Sequence, residues 1–349
     1  MIPDPSRLIN VLKGSRVFIQ THNFPDQDAV ASACGLQCIL RHFGIDANLC
    51  YKGTIENMGI RHIMEEYHIH MDEYSHIEEM TFADKVILVD GQKFNANMTD
   101  LPGDEVACID HHPANDKGEY AYKNIRICGA CSSIIDEYFR IWNVPMDRDT
   151  ATLLLYGLRM DTDNLRRGVT ELDVEAFRHL FPLSDDSMLK KLAGRCLLKE
   201  DLRAFGTAIE TITLREDLGM VRIPFKCDDH LIAQVADFIL TLAEVDTAII
   251  YSRRDNGLKF SARTLLPQVH CGDMLLTVLK EEGGSGGGHP HMAGGFLPRE
   301  KLGLLYDEGL SWEERTRMVH DFTNHLAGKF ECFLKREYCI KNVIMAYSS

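Results

Sequence analysis

The sequence has no surplus of positive charge: 52 Asp and Glu outnumber 38 Lys and Arg, for a formal net charge of −14 over 349 residues. This argues against a broad basic face for long duplex DNA or an anionic membrane, but leaves room for a local basic pocket that takes a short phosphorylated ligand. An acidic protein with such a ligand needs cations to mediate. No apolar run is long enough to cross a bilayer, and no N-terminal segment combines a basic region, an apolar run and a small-residue cleavage site. A cytoplasmic location without a membrane partner is therefore expected. The 11 cysteines are odd in number and scattered through apparent helices and strands, as reduced thiols are. Cys128 and Cys131 form a C-x-x-C, but without a second pair or a nearby histidine they do not suggest zinc or redox chemistry. There is no internal repeat.

What is present is an ordinary globular composition, 45% hydrophobic and 26% charged, in a chain long enough for two cores. Val17-Phe18-Ile19 reads as a strand, Ala29 to Phe43 as a helix and Ala47 to Tyr51 as a second strand, with a polar, His-rich helical region following to about Met80. Lys85 to Asp90 and Glu105 to Asp110 are apolar runs that end in carboxylates. Buried strands separated by helical stretches imply a parallel sheet covered on both sides. Helices are expected at Ala130–Ile141, Asp147–Leu158 and Leu172–Leu180. The Pro182 and Ser184-Asp185-Asp186-Ser187 cluster marks a hinge. Beyond it, strands at Met220–Ile223, Thr247–Ser252 and Leu258–Ser261 alternate with helices near Leu231–Leu242 and Asp273–Leu279, and a last helix, Trp312–Phe333, packs back on them. The fold class is thus α/β in two domains, with a parallel-sheet domain at 1–183, a linker at 184–200, a smaller α/β domain at 201–349, and a cleft between the domains.

The chemistry concentrates at strand ends. Thr21 to Ala29 contains H-x-x-x-D-x-D, supplying His22, Asp26 and Asp28 where α/β proteins place ligand sites. Asp26 and Asp28 are equally suited to capping the helix that follows. Asp90 closes one buried strand, and Asp110-His111-His112 closes another. Adjacent histidines on an extended backbone point different ways, so one can ligate a metal while the other faces substrate. Asp161 follows an apolar helix and adds a carboxylate. Such a set can hold two divalent ions with a carboxylate such as Asp90 between them, as binuclear phosphoester hydrolysis requires. Oxygen-rich coordination with a few imidazoles favours Mn²⁺ or Mg²⁺ over structural Zn²⁺.

In this order and spacing, His22-Asp26-Asp28, Asp90, Asp110-His111-His112 and Asp161 resemble the motifs of the DHH phosphoesterase superfamily. Gly286-Gly287-Gly288-His289-Pro290-His291-Met292-Ala293-Gly294-Gly295 resembles the signature of the DHH-associated C-terminal domain. The resemblance implies one metal on His22, Asp26 and Asp90 and another on Asp28, Asp90, His111 and Asp161, the two being Mn²⁺ with Mg²⁺ as substitute. It also implies that His112 contacts the phosphate or helps the leaving group, and that Asp110 orients its neighbours. Ser261 and Arg263, with Gly287, Gly288 and His289, would bind substrate. The glycine run could alternatively be a flexible linker, and Arg263 a surface strand arginine. Gln27 and Gly294-Gly295 depart from the commonest residues of the family without removing a ligand.

The implied activity is that of the oligoribonuclease and 3′-phosphoadenosine 5′-phosphate phosphatase group, acting on short RNA or dinucleotides. Alternatives are a cyclic or linear dinucleotide phosphodiesterase, an exopolyphosphatase or pyrophosphatase, and a non-catalytic nucleotide sensor. The sequence is compatible with a homodimer and does not require one.

Overall fold

The computed structural model describes residues 5–55, 58–95, 97–115, 117–193, 197–303 and 309–348, with side chains of the last helix described through Arg336. The chain divides into two compact units, Met1–Cys196 and Leu197–Ser349.

The first unit runs α1 (Pro5–Leu12), β1 (Val17–Gln20), α2 (Gln27–His42), β2 (Ala47–Tyr51), α3 (Met58–Glu66), β3 (Met71–Glu73), β4 (Lys85–Val89), β5 (Asp104–Asp110), β6 (Tyr122–Ile125), α4 (Cys131–Ile141), α5 (Arg148–Asp161), α6 (Glu171–Leu180) and α7 (Asp186–Ala193). The sheet has the order β3-β2-β1-β4-β5-β6, and every pairing is parallel. The chain builds outward from β1 in one direction, then returns to β4 and builds in the other. This reversal leaves a crevice at the carboxyl ends of β1 and β4, where open α/β sheets bind ligands.

One face of the sheet buries Ile19, Ile87 and Ile109 against Val30, Leu36, Ile134 and Leu154 of the helices. A Cβ on Gly35 would meet Ile135 Cγ2 at 2.8 Å and Leu154 Cδ2 at 3.0 Å, so α2 needs glycine there to lie close against α4 and α5. The other face buries a smaller cluster, including Phe18, Val86, Leu88 and Cys108, under Met80, Met98 and Leu101.

Two expectations change here. The polar stretch before Met80 is not helical throughout, because Met71–Glu73 pairs with β2 as an edge strand and Tyr74–His76 forms a 3₁₀ turn. Residues 186–193, expected within the linker, form α7, whose Leu189 and Leu192 are buried in the first unit's core.

The second unit runs α8 (Leu202–Thr211), β7 (Thr213–Arg215), β8 (Leu218–Ile223), α9 (Asp229–Ile239), β9 (Thr247–Arg254), β10 (Gly257–Thr264), α10 (Cys271–Glu281), β11 (Ser285–Gly288), β12 (Met292–Pro298) and α11 (Trp312–Ser348). Its sheet has the order β11-β12-β10-β9-β8-β7 and is antiparallel except for the parallel β8–β9 pair. Met220, Ile249, Phe260 and Ala262 face Leu275 of α10 and Phe330 of α11. Val221, Ile223, Ala248 and Ile250 face the helices α8 and α9. Side chains alternate along β10, so Leu258, Phe260 and Ala262 enter the first of these cores while Lys259, Ser261 and Arg263 point to the α9 side.

Candidate metal centre

The crevice at the ends of β1, β4 and β5 gathers the acidic and imidazole residues. His22, Asp26 and Asp28 follow β1, Asp90 follows β4, and Asp110 closes β5 with His111 and His112 just beyond it. Asp161, the last residue of α5, completes the set. One ligand atom from each of His22, Asp26 and Asp90 lies within 4.8 Å of the others, and the same holds for Asp28, His111 and Asp161 and for Asp90, His111 and His112.

Asp90 sits between the two outer triads. Its Oδ2 lies 3.7 Å from His22 Nε2, while its Oδ1 lies 3.2 Å from His111 Nε2. Asp26 Oδ2 approaches His22 Nε2 at 3.8 Å, and Asp161 Oδ2 approaches His111 Nε2 at 3.3 Å. Both Nε2 atoms point inward because the opposite ring nitrogens are held outside. His22 Nδ1 is 2.9 Å from the Asn23 carbonyl, and His111 Nδ1 is 3.0 Å from the Cys128 carbonyl. A carbonyl acceptor fixes the proton on Nδ1 and leaves Nε2 as a ligand atom, the usual arrangement around metal-binding histidines.

His112 is held differently. Its Nδ1 lies 2.7 Å from Asp110 Oδ1, and Asp110 also accepts from the His111 backbone and from Gln92 Nε2 at 2.6 Å. Asp110 therefore braces the loop, and Gln92 ties the β4 and β5 loops together; Gln92 carried no signal beyond its place two residues after Asp90.

Asp26 and Asp28 divide the work that the sequence left open between capping and ligation. Asp26 caps α2, accepting from the Ala29 amide at 3.0 Å. Asp28 caps a different helix: it accepts from the amides of Cys131 (2.6 Å) and Ser132 (3.0 Å) and from the Ser132 hydroxyl, at the start of α4. The N-cap residue of α4, Ala130, has no side-chain cap bond of its own. Gly157 makes room for this contact, since a Cβ there would lie 2.6 Å from Ser132 Oγ and 3.0 Å from Asp28 Oδ1.

Burial of so many carboxylates has electrostatic consequences. Burial, together with Asp90 and Asp161, drives Asp28 well above the usual carboxylate range. Burial and the neighbouring Asp26 and Asp90 raise Asp161 to about 6 against the opposing pull of His111. Burial alone would depress His22, but Asp26 and Asp90 more than reverse that and hold it at about 10. His111 is likewise raised by Asp90 and Asp161 in spite of its burial. Burial pushes Asp110 up, yet His112 outweighs it and brings Asp110 down to about 2.

The residues fit divalent cations. All donors in the triads are carboxylate oxygens or imidazole nitrogens, and Asp90 Oδ1 is a buried acceptor with no hydrogen bond of good geometry. The loops that carry ligands hold non-glycine residues in the left-handed region, Phe24 at φ +55°, Asp90 at φ +58° and Asp163 to Leu165 at φ +47° to +65°. Such conformations cost energy and persist where the surrounding structure demands them.

Other cysteines, histidines and arginines add no ligand to these triads. Cys128 and Cys131 are buried thiols aimed at the carbonyls of Ala130 and Ile109. Among the described residues, His62, His68, His70 and His76 join no metal-capable cluster. Arg166 is exposed, but Arg167 folds back so that its Nη2 donates to the Asp161 carbonyl at 3.0 Å.

In the second unit, Ser261, Arg263, Gly288 and His289 line one groove of about 260 Å³, together with Lys259 and Gly294. Arg263 donates from Nε to Asp237 at 2.9 Å and from Nη1 to Ser261 Oγ at 3.4 Å. Gly287 lies in β11, opposite Gly294. The glycine run is therefore an edge strand rather than a linker. Part of its glycine requirement is internal packing, because a Cβ on Gly284 would meet the Phe296 carbonyl at 2.6 Å and the Leu279 carbonyl at 3.2 Å.

Comparison with known proteins finds a family match in each unit. The profile of the DHH family, N-terminal domain, matches residues 16–158, and that of the DHHA1 domain matches residues 218–312. An uncharacterized protein of Methanocaldococcus jannaschii is 26% identical over 82% of the chain, which spans 59% of that relative's length. A probable manganese-dependent inorganic pyrophosphatase of Streptococcus thermophilus is 26% identical over 70% of the chain and 79% of its own length. A cyclic-di-AMP phosphodiesterase of Geobacillus thermodenitrificans is 25% identical over 80% of the chain and 44% of its own length. The crystal structure of an exopolyphosphatase-related protein from Bacteroides fragilis superimposes with a TM-score of 0.69 at 14% identity, covering 94% of this chain and 98% of the other. Among the described residues, no helix is long and apolar enough to cross a membrane.

Proposed function

Since this chain belongs to the DHH family of metal-dependent phosphoesterases, we propose that it hydrolyses short oligoribonucleotides or dinucleotides to mononucleotides, and 3′-phosphoadenosine 5′-phosphate to AMP, with two Mn²⁺ or, in their place, Mg²⁺. The observation that carries the reading is the position of Asp90, one carboxylate oxygen toward His22 and the other toward His111. His22, Asp26 and Asp90 would hold one cation, and Asp28, Asp90, His111 and Asp161 the other. Bound there, such ions supply an acidified water and offset the charge that develops on phosphoryl oxygens.

The chain's own residues do the rest. Asp110, held below its ordinary range by His112, accepts a hydrogen bond from His112 Nδ1–H and fixes the ring. His112 would contact the phosphate or pass a proton to the leaving oxygen. Asp28 is held by two amides and a hydroxyl of α4, so its position is set before any ion arrives. In the second unit, Arg263 and Ser261 with Gly288 and His289 offer donors to a phosphorylated ligand.

Nucleotide substrates are favoured over pyrophosphate by this second groove, whose apolar and glycine-floored parts have no use for a small, highly charged anion. A cyclic dinucleotide is the second reading, suggested by the phosphodiesterase relative. The deciding experiment is turnover with Mn²⁺ on 5′-phosphorylated dinucleotide, longer RNA, 3′-phosphoadenosine 5′-phosphate, cyclic dinucleotide and polyphosphate. Preference for the first or third supports the proposal. Release of phosphate from polyphosphate alone refutes the nucleotide assignment, and nucleotide binding without turnover of any of the five would make the protein a sensor.

A further inference from the structure

The loop from His22 to Asp26 carries an aromatic ring for which the metal centre has no use. Phe24 has a left-handed backbone, φ +55°, which is costly for a bulky side chain. Burying the ring would offset that cost, yet Phe24 is 63% exposed. A strained backbone that presents apolar surface to water is a combination that folding alone does not favour, and such strain gathers at ligand sites.

The ring is held from below. It rests on Gly53, in the turn after β2, where a Cβ would stand 2.7 Å from Phe24 Cε1 and 2.8 Å from Cδ1. Gly53 itself has φ +104°, so the turn both needs glycine and leaves out the side chain that would displace the ring. Glu73 braces this bed, accepting from Lys52 Nζ at 2.8 Å and from the Gly53 amide at 3.4 Å.

The loop itself is tied on two sides. The Phe24 amide donates to the Lys52 carbonyl at 3.0 Å, toward β2. Toward the β4 loop, the Asn23 amide donates to the Asn97 carbonyl at 2.6 Å, and Asn23 Oδ1 accepts from the Thr99 amide at 3.2 Å. Phe24 lies two residues from His22 and two from Asp26, so its Cα is within about 7 Å of both. A flat apolar surface, fixed before any ligand arrives, thus stands at the rim of a centre whose donors suit a phosphate.

We infer that Phe24 is a stacking platform for a nucleobase, taking the base of a nucleoside joined to the phosphate at the metal centre. The inference rests on the nucleotide reading above and adds a residue that sets specificity. Every base has a π-face, so the ring selects for a base without selecting which one. Pyrophosphate and polyphosphate offer it nothing.

The test measures turnover by the full chain with Mn²⁺ on 5′-phosphorylated diadenylate and on two analogues, each lacking one of the two adenines. Stacking of one base on an aromatic side chain is worth about tenfold in affinity. The wild type should therefore show a KM about tenfold higher on one of the analogues, with kcat little changed. Phe24→Asn removes the ring while keeping a residue that tolerates the left-handed backbone. It should raise the KM for diadenylate by about the same factor and add no further loss on that analogue, and Phe24→Tyr should restore the wild-type pattern. Binding of 2-aminopurine riboside 5′-monophosphate with Mg²⁺ gives a readout apart from turnover. Its emission should be quenched on wild type and Phe24→Tyr but not on Phe24→Asn. Equal KM values for all three substrates on the wild type, which need no variant, overturn the platform while leaving the nucleotide reading intact. So does a Phe24→Asn that still loses tenfold on the analogue or still quenches. Turnover of polyphosphate with no dinucleotide cleaved overturns both.

Discussion

Replacing Asp90 with asparagine tests the shared position of this residue directly. The substitution keeps the side chain's shape but removes the charge that faces His22 through one oxygen and His111 through the other. If Asp90 serves both triads, the variant should lose the stabilisation that Mn²⁺ confers on the first unit. A ligand at one hundred times its Kd stabilises a folded protein by about 2.7 kcal/mol per site. For a unit spanning Met1–Cys196, each kcal/mol corresponds to roughly 2–4 °C in Tm. Wild-type protein should therefore melt roughly 5–11 °C higher with saturating Mn²⁺ for each site filled. The measurement is differential scanning calorimetry with and without Mn²⁺, reading the first unit's transition. Asp90→Asn should shift by no more than about 2 °C under the same conditions. Only the metal-induced difference is compared, so any change in the metal-free baseline cancels. An unreduced shift in the variant would refute the bridging role, whatever happened to turnover.

Three further outcomes follow from the same geometry. At pH 7.5 the raised His22, at about 10, still carries the proton that must leave Nε2 before it can ligate, so Mn²⁺ binding should release protons. Affinity should rise with pH from about 6, where Asp161 gives up its proton, and go on rising toward 10; titration calorimetry in buffers of different ionisation heat would show this, and heats independent of buffer would contradict it. Arg263→Ala should raise the KM for nucleotides about tenfold or more, well beyond its effect on a chromogenic phosphodiester; an equal effect on both would mean that Arg263 does not recognise the nucleotide. Asp173 is fully buried and accepts from the Gly129 and Thr170 amides and the Ser133 and Thr170 hydroxyls. Asp173→Ala strands these donors and should cost about 3 kcal/mol or more in urea unfolding, and a loss below about 1 kcal/mol would show that water or relaxation replaces them.

What the sequence made legible was whatever has a local signature. The runs of β1, β4 and β5 are apolar on both faces, and the residues at their ends stand out because carboxylates and imidazoles are chemically distinctive. The missed elements lack such marks. Strand β3 is three residues long, and of these only Met71 is buried, while β6 alternates on a sheet edge with Lys123 exposed. Strand β11 is Ser-Gly-Gly-Gly, with no side chains to alternate, and only its pairing with β12 makes it a strand. Helix α7 is short, and its burial rests on Leu189 and Leu192 alone.

In the centre, the inward turn of His111 and the bracing of His112 depend on the carbonyl of Cys128 and on Asp110, contacts that residue types alone do not specify. Ser132 and Ser133 lie in the first turn of α4, where a serine ordinarily caps its own helix. Instead Ser132 reaches a carboxylate 104 positions earlier, and Ser133 one 40 positions later.

The bond from Asp28 to the first turn of α4 joins points 103 residues apart in the chain. A cation at the triad of Asp28, His111 and Asp161 would draw on the same carboxylate that the Cys131 and Ser132 amides hold, so the two demands share one side chain. The hydrogen-exchange rates of those two amides are thus a gauge wired to the metal centre from behind. They could report occupancy in a protein that turns nothing over, including variants whose catalysis has been removed.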